Sequence, residues 1–177
     1  MEINRNIYLN RLITRKQNGF IKVITGIRRC GKSYLLNKIF YNYLLSEGVD
    51  KNHIIKFAFD SADDLLLIDE DISEQNRKVD PRKFMKYISG KIIDDEMYYL
   101  LLDEVQLLGN FEAVLNGYMR KDNLDIYVTG SNSKFLSSDI LTEFEGRGDE
   151  IHVLPLSFSE FYSAYDGSKD EAFDDYM

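Results

Sequence analysis

The 177 residues carry a formal charge of -8, are 44% hydrophobic and 29% charged, and include one cysteine and two histidines. That size suits one folded domain with its own core; an intrachain disulfide is excluded, His53 and His152 give a zinc site no support, and a chain this acidic does not coat nucleic acid by bulk attraction. The start "MEINRNIYLN" is polar and apolar runs such as "YYLLL" fall far short of the roughly 18 residues that span a bilayer, so a cytoplasmic protein without a membrane partner is expected.

The charge is uneven. Residues 1 to 60 hold 11 Lys and Arg against 4 Asp and Glu, whereas the remainder holds 11 against 26. The basic excess in "NRNIYLNRLITRK" fits either a local polyanion site or a solvated helix face.

In chain order, "FIKVIT" at 20 to 25 reads as a strand ending on Gly26. From Ser33 the apolar residues Leu35, Leu36, Ile39, Phe40, Tyr43 and Leu44 mark one helix face, which stops near Gly48. "HIIKFAF" at 53 to 59 is a second strand. The acidic stretch at 61 to 80 has no clean period and reads as a long surface segment with one short helical turn. Asp80 then caps a helix with Pro81 at its first position, and Phe84, Ile88 and Ile92 carry its face to about Asp95.

"MYYLLL" at 97 to 102 is apolar on both faces, as a central parallel strand must be, and runs into Asp103 and Glu104. Phe111, Val114, Leu115, Tyr118 and Met119 predict the next helix. "LDIYVTG" at 124 to 130 predicts the fourth strand, Leu136, Ile140 and Phe144 a further helix, and "EIHVLPL" at 150 to 156 the fifth strand. Repeated βα units predict a parallel sheet with helices on both sides, an α/β fold.

Near the C-terminus, Ser157 and Glu160 form an S-x-x-E capping box, with Leu156 and Phe161 placed for a hydrophobic staple, so a helix starts at Phe158. Asp166 and Gly167 stop it. Ser168 and Glu171 open another helix that the last residue, Met177, interrupts after about two turns. We therefore expect a core over 1–156 and, over 157–177, the start of a helical lid or following domain of a longer protein.

The chemistry centres on "GIRRCGKS" at 26 to 33, a G-x-x-x-x-G-K-S match between a strand and a helix. Such a loop turns backbone N–H groups toward an anion, and the helix N-terminus adds a favourable dipole. The segment Gly26, Ile27, Arg28, Arg29, Cys30, Gly31, Lys32, Ser33 and Tyr34 is thus the expected nucleotide-binding loop. Lys32 is placed for the β and γ phosphates and Ser33 for Mg2+. Arg28 and Arg29 fall at outward-bulging positions. Cys30 is either a small buried side chain or a thiol activated by the helix N-terminus.

At the end of the third strand, Asp103 is expected to hold the magnesium shell and Glu104 to act as the base that polarises an attacking water. After the fourth strand, Thr129, Ser131 and Asn132 offer a sensor of the γ phosphate, or Ser131 simply caps the next helix. Ile7, Tyr8 and Leu12 of the N-terminal helix either cover an adenine or pack as core.

The trio "GIRRCGKS", "LLLDEVQ" and "VTGSNS" resembles the catalytic-glutamate P-loop ATPases of the AAA superfamily. Together with "GRGDEIHVLPLSFSEF" it is similar to a family of prokaryotic predicted ATPases that usually carry a C-terminal domain of unknown function. The resemblance implies a three-layer αβα P-loop NTPase sandwich with a five-stranded parallel sheet in the order 5-1-4-3-2, and hydrolysis of Mg-ATP to ADP and phosphate. It also implies that Arg147 reaches the γ phosphate of a neighbouring subunit as an arginine finger, hence self-association; the alternative is a charge at a helix end.

A GTPase is disfavoured because "NKIF" at 37 to 40 has Phe40 where a guanine-selecting acid belongs, and no transporter signature of the "LSGGQ" type occurs. A small-molecule kinase stays open, although it would not obviously need Glu104 beside Asp103. Three readings are weighed further: an ATP hydrolase, a nucleotide-gated switch or binding module with slow turnover, and a nucleic-acid-handling motor in the full-length protein.

Overall fold

The computed structural model describes residues 3–73, 78–131, 144 and 146–177. Five parallel strands, β1 (Ile21–Thr25), β2 (Ile54–Ala58), β3 (Tyr98–Asp103), β4 (Leu124–Thr129) and β5 (Gly148–His152), form one sheet in the order β2-β3-β4-β1-β5. This is the expected 5-1-4-3-2 order, read from the other edge. Strand β3 is buried along its whole length, and its side chains alternate between two cores as the pleat requires.

Tyr98, Leu100 and Leu102 join one core with Val23, Phe57, Ile126 and Val128, covered by α5 (Pro81–Lys91) and α6 (Phe111–Tyr118) through Phe84, Ile88, Val114 and Leu115. Tyr99 and Leu101 face the other way, against Ile24 and Tyr127 and beneath α1 (Asn6–Thr14) with Tyr8 and Leu12. On that same face, α2 (Lys32–Tyr34) continues through a π-type segment, Leu35–Phe40, into α3 (Tyr41–Ser46). Leu35, Leu36, Phe40 and Leu44 seal the core. Helix, sheet and helix make the three layers.

Several boundaries differ from the sequence reading. Strand β5 begins two residues early, at Gly148, and ends at His152, because β1 offers it only the rungs from Ile21 to Thr25. Beyond Thr25 the chain bends at Gly26, so Val153 makes the last bond, donating its N–H to Thr25 O at 2.8 Å. Helix α5 stops at Lys91 rather than Asp95, since Ile92 is extended and Ile93 N–H donates to Tyr98 Oη at 3.1 Å. The acidic segment contains a short helix, α4 (Ala62–Leu66), capped by Ser61. The helix expected at Leu136 and Ile140 lies outside the described residues; Phe144 is buried, its ring centroid 6.4 Å from that of Phe111.

Both C-terminal capping boxes form, opening α7 (Phe158–Tyr162) and α8 (Lys169–Tyr176). The two helices pack through Tyr176, whose ring centroid lies 5.5 Å from that of Phe158 and 5.6 Å from that of Phe161. Among the described residues, no helix is long and apolar enough to cross a membrane.

The core includes a buried ion pair. Lys22 of β1 is fully buried and paired with Asp125 of β4, which also accepts from Tyr127 Oη and from the Gln17 N–H, both at 2.9 Å. Burial lowers the Lys22 pKa and the Asp125 charge partly restores it. Removing one partner of such a pair leaves an uncompensated buried charge. Asp125→Asn should therefore lower stability in urea unfolding by about 3 kcal/mol at neutral pH. The deficit should shrink as pH rises toward the ordinary lysine value of 10.5, where Lys22 sheds its proton at no cost relative to the unfolded chain.

Candidate functional site

The site lies at the C-terminal ends of β1, β3 and β4, the end at which parallel α/β sheets bind ligands. At the exit of β1, Gly26 has φ +143°, and a Cβ there would stand 2.3 Å from Val153 O, so the loop starts only with glycine. Gly31, at φ +94°, precedes α2, and Arg29 is also left-handed at φ 64°. Arg28 and Arg29 are exposed, as their outward positions predict. Cys30 is 4% exposed and packs in the core under α1, which is the small-buried-side-chain reading.

Lys32 folds back over the loop. Its buried ammonium donates to Gly26 O at 3.0 Å and Ile27 O at 2.9 Å. The first amides of α2 have no carbonyl partners within the helix. An ammonium ringed by loop backbone, beside the first amides of a helix, is an arrangement that can receive an anion.

Asp103 is the junction of the site. It is 5% exposed, and its Oδ1 accepts from Ser33 Oγ at 3.0 Å and from Thr129 Oγ1; its Oδ2 accepts from Asn37 Nδ2 at 3.1 Å. The structure thus brings Ser33 and Asp103 together as expected. Their hydroxyl and carboxylate oxygens are the hard donors that Mg2+ takes. Asn37 was not singled out from sequence, although it lies four residues after Ser33, on the same helix face.

Glu104 adopts a left-handed backbone, φ 54° and ψ 46°, which strains a residue with a Cβ. Its N–H is bound at 3.0 Å by the same Thr129 hydroxyl that serves Asp103. Its carboxylate Oε2 accepts from Gln106 Nε2 and, at 2.8 Å, from Ser131 Oγ. Of the three sensor candidates, Thr129 is engaged with both acids, Ser131 with Glu104, and Asn132 lies outside the described residues.

Asp60 extends this acidic edge. Ala58 of β2 stands opposite Asp103, and Phe59 N–H donates to Asp103 O at 3.0 Å, which carries Asp60 alongside Glu104. Desolvation, followed by the charge of Asp103 and then of Glu104, raises the Asp60 pKa above its ordinary 3.8. Its place follows from strand register, which the sequence pattern alone did not reveal.

Burial distinguishes between the readings of the N-terminal segment in two places. First, Tyr8 and Leu12 pack as core, one of their two readings, whereas Ile7 is 65% exposed. The apolar cleft beside the loop, about 280 Å³, is lined by Ile3, Arg5, Arg29, Cys30, Gly31, Tyr34 and Leu156. Second, the basic run is not uniformly solvated. Arg5 is 3% exposed and donates to Cys30 O at 2.7 Å, to Leu154 O at 2.8 Å and to Glu160 Oε1 at 3.1 Å. A lone arginine before a helix gave no signal of that role.

Arg147 stands apart from the loop within this chain. Its carbonyl accepts from Ile21 N–H at 2.9 Å, at the opposite end of β1 from Gly26.

A model of the AAA domain family matches residues 18–162. An uncharacterised protein of Haemophilus influenzae is 36% identical over 163 residues, and one of Methanocaldococcus jannaschii is 32% identical over 163 residues. The matches cover 92% and 90% of this chain but only 38% and 31% of those proteins, so the chain spans about a third of the length of its curated relatives. Among solved structures, the Aeropyrum pernix ORC1 protein in complex with DNA superposes with a TM-score of 0.61 at 12% identity, covering 99% of this chain and 50% of that one. A left-handed glycine loop closed by a buried lysine, a serine bonded to a strand-end aspartate and a match over most of the length all agree: the chain belongs to the AAA domain family of P-loop ATPases.

Proposed function

We propose that this domain binds Mg-ATP and hydrolyses it to ADP and phosphate. The observation that carries the reading is the convergence of Ser33, Asp103, Glu104 and Thr129 beside the Lys32 loop. Lys32 exchanges its two loop carbonyls for phosphate oxygens, while the amides at the start of α2 hold the same group. Ser33 and Asp103 would hold Mg2+, which when bound would supply neutralisation of phosphate charge. Glu104 takes a proton from water as the water oxygen attacks the γ phosphorus, and ADP departs as the leaving group.

Gln106 and Ser131 orient the Glu104 carboxylate. The Gln106 Oε1 atom, buried without a hydrogen-bond partner, is available to the same water. The base of the nucleotide is assigned to the cleft walled by Ile3, Tyr34 and Leu156, and Arg147 of a neighbouring copy is the candidate source of further charge stabilisation.

In the alternative, a nucleotide-gated switch, binding matters and turnover is incidental. Glu104→Gln separates the two. Under the hydrolase reading, single-turnover hydrolysis should fall by about 100-fold or more while ATP affinity is retained; an unchanged rate would favour the switch. Lys32→Ala should abolish measurable nucleotide binding under both.

Asp60 offers an independent check. Its raised pKa means that ionisation is opposed in the folded state, so at neutral pH the charge destabilises the fold. Asp60→Asn should raise the melting temperature at pH 7, and the gain should fade as the pH drops below the ordinary value of 3.8, where both states are protonated. It should also shrink with Mg-nucleotide, whose metal offsets the carboxylate repulsion. A gain independent of pH and metal would contradict the placement.

A second reading, nucleic-acid binding by the longer protein, is favoured by one surface. A cleft of about 430 Å³ at the β2 edge presents Lys51, Lys56 and Lys91 beside Tyr41 and Tyr87, with no carboxylate among its described lining residues. The Lys56 ammonium stands 4.0 Å from the centroid of the Tyr41 ring. If this cleft meets phosphate, single-stranded DNA binding should weaken linearly in log salt, and removing one lysine should reduce that slope by about 1. A flat salt response would remove this reading.

A further inference from the structure

Arg5 joins three segments that are far apart in sequence. Its guanidinium bonds the phosphate-loop carbonyl of Cys30, the Leu154 carbonyl after β5, and the Glu160 carboxylate of α7. The same group stands 4.6 Å from the centroid of the Tyr8 ring, and Tyr8 Oη accepts from Leu154 N–H at 3.2 Å. Glu160 is also the capping-box residue of α7, accepting from Ser157 N–H at 2.9 Å. Helix α8 is tied in through Tyr176, which donates to Leu156 O at 2.7 Å.

The bond to Cys30 O has a consequence for the loop. In a trans peptide the carbonyl and the following N–H point to opposite sides. Holding the Cys30 carbonyl toward Arg5 therefore turns the Gly31 N–H away from it. The fit is close: a Cβ on Gly31 would stand 3.3 Å from Arg5 Nη1. Arg5 keeps this pose because it is buried, with Glu160 as its counter-charge. Without that carboxylate a buried guanidinium is uncompensated and must move toward water.

We infer that Arg5 is a positioning residue that makes nucleotide affinity conditional on docking of the α7–α8 pair. With Glu160 docked, Arg5 fixes the Cys30–Gly31 peptide with its N–H directed at the bound phosphate. With Glu160 withdrawn, that peptide is free to rotate and the anion loses a donor. Because coupling is reciprocal, bound nucleotide holds α7 and α8 against the core by the same factor. The C-terminal helices then report the occupancy of the loop. This rests on the nucleotide-binding reading above.

The test compares the wild-type chain, Glu160→Gln and Arg5→Lys, using a fluorescent ADP analogue and amide hydrogen exchange over 157–176. Glutamine is accepted at the capping-box position, so the first variant keeps the α7 cap and removes only the charge. Arg5→Lys keeps the charge but cannot bond three acceptors at once. Both should weaken nucleotide binding by about 5- to 150-fold, the usual range of coupling between sites. Nucleotide should slow exchange over 157–176 in the wild type and lose that effect in Glu160→Gln. If the wild type binds, Glu160→Gln binds within about twofold of it, and exchange there ignores nucleotide, the inference is overturned. A wild type that fails to bind removes the nucleotide reading itself.

Discussion

The buried carboxylate of Asp103 is the contact on which the rest of the site depends. Strand β3 delivers it from the middle of the sheet, and its two oxygens take donors from the helix after the phosphate loop and from the end of β4. A charge this buried is tolerated only when hydrogen-bonded, so Ser33, Asn37 and Thr129 stabilise it while it fixes their positions. Thr129 extends the arrangement by binding the Glu104 N–H, which holds Glu104 in its strained left-handed turn. The two acids are therefore placed by the ends of β3 and β4.

That placement explains what could be read from the sequence. Strands that are apolar on both faces, the glycines flanking a strand-to-helix turn, and acids at the end of "YYLLLDE" are local patterns, and the fold places all three at one end of the sheet or in its middle as those patterns indicate. The end of β5 was misread because its pairing depends on the length of β1, which its own residues do not encode. Arg5 and Glu160 are 155 positions apart; one resembled a solvated helix charge and the other a cap. Asn37, Gln106 and Asp60 act through neighbours supplied by folding, and an isolated polar residue does not announce its partner.

The structure places stability and function in tension at the same points. Asp60, Asp103 and Glu104 are crowded at adjacent strand ends, and the crowding shows in the raised pKa of Asp60. Glu104 and Arg29 both hold left-handed backbones. Such features cost stability and persist where the surroundings over-determine them. Under the proposed reading, a cation bound at this end of the sheet would relieve the carboxylates and a phosphate anion would occupy Lys32, offsetting these costs together.

If this end of the sheet is a Mg-nucleotide site, ligand binding must appear directly in the stability of the fold. Thermal unfolding of the chain across ATP concentration, with and without Mg2+, measures this most directly. The account predicts a melting temperature that climbs with the logarithm of ATP concentration, reaching about 2.7 kcal/mol of added stability at a hundredfold excess over Kd, and climbing further with Mg2+ than without it. A melting temperature that stays flat into the millimolar range under both conditions would contradict it.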